Sequence, residues 1–114
     1  MRNKIIVNKR EKYDGSFDGL KRIVNQYLVP KFTDIKFYLK ESVTTNSYYV
    51  FLNKGNQSIA IRFSDHKPVK NILSYTLSAM DKSRAVVAAI VHNINRLNRK
   101  YLYSNLEKIG GDKC

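Results

Sequence analysis

Cysteine is almost absent from this 114-residue chain: the single one, Cys114, is the last residue. No internal disulfide can form, and the expectation is a reducing, cytoplasmic setting. Tryptophan is missing, and Pro30 and Pro68 are the only prolines, so long stretches carry no obligate breaker. No apolar run approaches the roughly 20 residues of a membrane span, and Ile5-Ile6-Val7 is too short for the apolar part of a signal peptide. Acidic side chains are the scarcest charge, 9 against 21 lysines and arginines, for a formal net charge of +12.

The groups that build catalytic centres are equally thin. There is no G-x-x-x-x-G-K-[ST] and no G-x-G-x-x-G. The histidines are His66 and His92 alone. The carboxylates Asp14, Asp18, Asp34, Glu41, Asp65 and Asp81 are scattered, whereas a metal-dependent nuclease needs them clustered. The sequence therefore predicts a non-enzymatic protein with no catalytic residue, no metal site and no cofactor.

What is present is enough for one globular domain, 1–114: 43% hydrophobic and 11% aromatic residues rule out a disordered chain. Lys4–Lys9 reads as a short edge strand. Asp14-Gly15-Ser16 is a turn, with Ser16 placed to cap a helix and Asp18 near its positive end. Phe17, Leu20, Ile23 or Val24, Tyr27 and Leu28 recur at helical spacing until Pro30. From Asp34 to Lys40, Ile35, Phe37 and Leu39 alternate with Lys36, Tyr38 and Lys40, which predicts a half-buried strand with a basic, tyrosine-bearing outer face.

A polar turn, Ser42–Asn46, leads to the clearest signal in the chain. In Ser47–His66, two runs of β-branched and aromatic residues flank Asn53-Lys54-Gly55-Asn56, as in a β-hairpin. Tyr48, Val50 and Leu52 share one face of the first run. Ile59, Ile61 and Phe63 share one face of the second, opposite Ser58, Ala60, Arg62 and Ser64. Residues Asn71–Leu77 fit a fourth strand or a loop. Ser78 and Asp81 have capping-box spacing ahead of a long helix in which Val87, Ile90 or Val91, Ile94, Leu97 and Tyr101 form an apolar stripe. Gly110-Gly111 is its natural stop.

The predicted fold is α+β: a three- or four-stranded antiparallel sheet, with a short N-terminal helix and a long C-terminal helix on one face. The long helix carries more apolar surface (Val86, Val87, Ile90, Val91) than one sheet covers, and a homodimer is one way to bury it. His92, inside that apolar part, is expected in the core or an interface.

A charge of +12 points to a polyanion, either a nucleic acid or nucleoprotein complex or a nucleotide ligand, and not to a membrane, because no basic face is matched by an exposed Trp, Phe or Leu face. Three groups of residues are candidates. Arg62 and Ser64 share a strand face and can grip a phosphate, with His66 as a further donor oriented by Asp65; Ser64 and Asp65 equally suit a turn before Pro68. Tyr38, Tyr49, Tyr101 and Tyr103 lie beside basic residues, as in stacking platforms. Lys82, Arg84, Arg96, Arg99, Lys100 and Lys108 give the long helix a face of one sign, without the usual i,i+4 acidic partners.

The pattern of Ser47 and Tyr49, a turn, then Ile61-Arg62-Phe63-Ser64-Asp65-His66 resembles a segment of small phage and mobile-element accessory proteins of low-GC bacteria, where an apolar-Arg-apolar-Ser-Asp-His string follows a tyrosine-bearing strand. That resemblance implies a phage accessory protein, with anti-defence inhibitors such as anti-CRISPR proteins as the setting. The sequence leaves three functions open: an inhibitor that occupies a nucleic-acid-binding surface or guide RNA, a sponge for a small nucleotide messenger, and a plain DNA- or RNA-binding factor.

Overall fold

The computed structural model describes residues 5–111; Lys4 and Cys114 lie outside that range, as does the side chain of Lys108. Helix α1, Phe17–Ile23, begins where expected: the Ser16 hydroxyl accepts the Gly19 N–H at 2.9 Å. The chain then widens into a π turn, Val24–Leu28, closed by the Val29 N–H donating to the Val24 carbonyl at 2.9 Å. The wider turn lets Leu20, Ile23, Val24 and Leu28 all be buried together. At α-helical spacing the choice between positions 23 and 24 looked exclusive; the π turn removes it.

Strands β1 (Lys36–Ser42), β2 (Ser47–Lys54) and β3 (Gln57–Phe63) form an antiparallel meander, and β4 (Leu73–Tyr75) completes the order β1-β2-β3-β4. The hairpin is tighter than its composition suggests, because Lys54 pairs with Gln57 and only Gly55-Asn56 lies between. Gly55 has φ +59°, and a Cβ there would sit 2.6 Å from the Tyr101 ring. Glycine is thus demanded both by the turn and by the helix passing its tip.

Three expectations are corrected. The sheet is mixed, since β4 runs parallel to β3, with Arg62 opposite Ser74. Residues 5–9 form no strand; they lie along the helices, and the nearest pairing is an isolated bridge between Lys12 and Lys82. The long helix α2 spans Ser83–Gly111 and does not start at Ser78. Ser78 falls in a single 3₁₀ turn, Leu77–Ala79, and its N–H is bound by the Asp65 carboxylate at 2.8 Å. A side chain thirteen positions away has taken the place of the local cap.

The core lies between the helices and one sheet face. Tyr48, Val50, Leu52, Ile61 and Phe63 from the sheet meet Leu20, Ile23, Leu28, Val86, Ile90, Ile94 and Leu97 from the helices. Each large apolar side chain fully buried there contributes roughly 1.5–3 kcal/mol. Val86, Val87 and Ile90 are all buried within this one chain, and Ile5, Val7 and Val91 pack around them. The apolar excess that suggested a dimer is therefore covered from within. His92 is exposed and not in the core. Hydrogen bonding ties Glu11, which accepts from Tyr27 Oη at 2.6 Å, into the helical layer.

Candidate nucleic-acid interface

Among the described residues, no helix packs on the sheet face turned away from α1 and α2. Register places Lys36, Tyr38 and Lys40 of β1 beside Asn53, Phe51 and Tyr49 of β2, with Ser58, Ala60 and Arg62 of β3 beyond. Strand alternation sends these side chains outward because their neighbours fill the core. Tyr38 and Phe51 lie 5.7 Å apart between ring centroids, and Tyr49 and Phe51 6.2 Å apart with planes 15° from parallel. The three rings make a continuous ridge across β1 and β2. Tyr38 is 59% exposed, while Tyr49 and Phe51 are half-buried by one another and by adjacent side chains.

Shallow depressions lie on either side of Phe51. One, of about 510 Å³, is walled by Tyr49 and Phe51 and bordered by Lys40, Ser42 and Thr44, with Glu41 at its rim. The other, of about 420 Å³, runs between Tyr38 and Phe51 over Asn53, Ser58 and Ala60. Lys36 and Lys40 are exposed beside the ridge, and the exposed Glu41, which also lines the first depression, is a carboxylate next to them. Lysines along β1 also discourage pairing of its open edge with another strand.

The far end of the same face is built differently. Arg62 sits on the outer side, as its alternation implies, yet it is only 3% exposed. The expectation that it would reach solvent is overturned. The segment between β3 and β4 folds back over it, and one guanidinium nitrogen donates to the Lys67 carbonyl at 2.9 Å and to Ser74 Oγ at 3.4 Å. The other terminal nitrogen donates to Ser47 Oγ at 3.3 Å. Ser47 Oγ in turn donates to Ser64 Oγ at 2.8 Å, and Ser64 Oγ accepts the His66 N–H at 3.0 Å. With Asp65 holding Ser78, the Arg62–Ser64–Asp65–His66 string is a fastening for the β3–β4 crossover. The guanidinium serves carbonyl and hydroxyl oxygens, and its Nε has no partner. The sequence offered these residues either as a phosphate grip or as turn formers; their partners here are main-chain and serine oxygens of the same fold.

On α2, Arg96, Arg99 and Lys100 are all exposed within about one turn of one another, and Arg84 is exposed near the start of the helix; the helix packs on the sheet face opposite the aromatic ridge. Arg96 donates to Asn93 Oδ1 at 2.6 Å, and the buried Asn93 donates to Tyr75 Oη at 2.9 Å. Lys100 reaches the Ser58 carbonyl at 3.1 Å, on the part of β3 that β4 leaves unpaired. Lys82 is half-buried at the bridge to Lys12. Tyr101 packs under Lys54, 5.0 Å from its ring, and Lys54 also pairs with Asp34 at 3.0 Å. Tyr103 is exposed beyond the hairpin tip, with Leu102 and Leu106. Phe51 was overlooked in the sequence: it reads as an ordinary strand apolar residue, and only its alternation with Val50 and Leu52 marked it as outward.

Among the described residues, no cluster of histidine, cysteine and acidic side chains is placed to hold a metal ion, and no helix is long and apolar enough to cross a membrane. Comparisons of the chain with protein-family models, with curated proteins and with solved structures found no match in any of the three.

Proposed function

We propose that this chain is a non-enzymatic binder of polyanions, nucleic acid or a nucleoprotein complex, and that the uncovered sheet face makes the contact. The observation that carries this reading is the composition of that face: Lys36 and Lys40 stand exposed there, outnumbering the neighbouring Glu41, in a chain of net charge +12. A surface of one sign attracts phosphates over a distance set by ionic strength and gains affinity by releasing their counterions. The resemblance of the Ser47–His66 segment supplies the biological setting we attach to it, an anti-defence protein of a phage or mobile element that occupies the nucleic-acid-binding surface or guide RNA of a host effector. The nucleotide-sponge alternative has less behind it, because Arg62, its central residue, is spent on Lys67, Ser74 and Ser47.

The test is the salt dependence of binding to a fluorescent oligonucleotide. Each phosphate neutralised contributes about 0.7 to the slope of log K against log salt for a single strand and about 0.9 for a duplex. Lys36→Glu with Lys40→Glu alters two exposed side chains and leaves the core intact. We expect the slope to fall by about 1.5 and affinity to drop at least tenfold. An unchanged slope in the folded double variant, with a loss instead in the α2 triple variant at Arg96, Arg99 and Lys100, would move the contact to the helix.

A further inference from the structure

Charge alone accepts any polyanion, but the face carries more than charge. Its centre is an apolar ridge of three rings, with centroid spacings of 5.7 and 6.2 Å. Phosphates gain nothing from such a ridge. A duplex approaching a nearly flat sheet would press its charged backbone against Tyr38 and Phe51 while its base faces stayed stacked inside the helix. An unpaired strand has the opposite character, because its bases expose apolar faces and its phosphates are flexible enough to lie to one side. The two depressions flanking Phe51 each have an aromatic wall and polar lining, Asn53 and Ser58 in one, Ser42 and Thr44 in the other, where Lys40 and Glu41 also stand. Lys36 and Lys40 stand four residues apart on β1, each two residues from Tyr38 between them. The arrangement interleaves cation, ring and cation along one strand.

We infer that the ligand of this face is single-stranded nucleic acid, with bases stacked against Tyr38, Phe51 and Tyr49 and its phosphates led along Lys36 and Lys40. This rests on the polyanion reading above and narrows it to a substrate class. The complementarity that selects this occupant over a second copy of the chain is charge: an identical lysine-bearing face is repelled, whereas a strand of phosphates is attracted. The rings supply affinity that salt does not screen, so binding has two separable parts. Stacking is tolerant of sequence because every base has a π face.

The experiment uses the full chain and three fluorescent probes of equal length: a mixed-sequence single strand of about eight nucleotides, the same strand with its central positions abasic, and the corresponding duplex. DNA and RNA versions distinguish the two sources of the same chemistry. The intact strand should bind at least tenfold more tightly than the abasic one, which carries the same phosphates, and more tightly than the duplex. Tyr38→Leu with Phe51→Leu keeps apolar bulk on the face but removes the π systems. It should abolish most of the difference between intact and abasic strands, at about tenfold per ring, while abasic binding and its salt slope stay put. Equal affinity for intact and abasic strands, or preference for the duplex, overturns the single-strand assignment but leaves the polyanion reading standing. Failure of every probe to bind in a salt-dependent way overturns both. A double variant that changes the sedimenting mass without changing the intact-to-abasic ratio would assign the rings to self-association and likewise overturn the inference.

Discussion

The two faces of one sheet show how identical residue types acquire different duties. On the inner face Tyr48, Val50, Leu52, Ile61 and Phe63 are buried under α1 and α2. On the outer face Tyr38, Tyr49 and Phe51 are no less aromatic, but among the described residues no helix packs on them, and their neighbours are each other and adjacent strand side chains. A tyrosine at position 48 donates its hydroxyl to the Gly15 carbonyl at 2.8 Å and is held in the core, while the tyrosine beside it at 49 faces outward. Burial, and not residue type, decides which aromatic group is structural and which is free to meet a ligand. The outer face divides again along its length, from an open ridge over β1 and β2 to a closed polar fastening around Arg62.

The sharpest way to break the contrast is to truncate one residue from each face. Leu52→Ala removes a fully buried side chain from the inner face and should cost about 3–4 kcal/mol in denaturant unfolding, from lost transfer energy and the cavity left behind. Tyr38→Ser, on the outer face, should stay within about 1 kcal/mol. Similar losses at the two positions would mean that the outer face is covered in solution.

The next effect concerns the two ends of the outer face. Arg62→Lys keeps the charge but loses the planar fork that reaches Lys67, Ser74 and Ser47 at once. It should lower stability by about 2 kcal/mol, within the range for hydrogen bonds to a charged group, while the affinity of the folded protein for a single strand changes less than threefold. Asp65→Asn should act in the same direction and more weakly, through the Ser78 N–H. Loss of affinity in a thermally normal Arg62→Lys protein would return Arg62 to the binding surface.

The smallest effect is in acid and belongs to the helical layer under the inner face. The hydrogen bond from Tyr27, with the neighbouring Ser83 hydroxyl and the Arg22 guanidinium, holds the Glu11 carboxyl below its ordinary value of 4.5. A carboxylate depressed in the folded state binds protons more readily when unfolded. Its stabilising contribution is therefore complete above the unfolded value near 4.5 and disappears as pH falls through the folded value beneath it. Urea midpoints of the wild type and Glu11→Gln should differ at pH 7 and converge as pH falls below 4.5 and through the depressed folded value. A gap that persists unchanged into acid would show that the Tyr27 contact works without the charge.

Much of this organisation was legible in the residues themselves, wherever the cause was local. Alternation along 35–40, 47–52 and 58–64 assigned most side chains of the three meander strands to their faces, because strand geometry reverses direction at each residue. Gly55 marked the hairpin because only a residue without Cβ enters that turn cheaply, and Ser16 marked the start of α1 because its hydroxyl meets a backbone N–H three residues on. The charge imbalance, and the lysines and tyrosine of β1 on an outer face, needed no coordinates either. Tertiary structure alone decided whatever depended on partners distant in the chain. Arg62 was placed on the outer face by its period, but its burial comes from the β3–β4 segment folding back over it. The parallel entry of β4 depends on that same crossover. Ser78 lost its capping role to Asp65, and residues 5–7 lie along the helix stripe that seemed to require a second copy. Pattern along a chain reports which way a side chain points; whether anything lies over it is settled by contacts that no local period encodes.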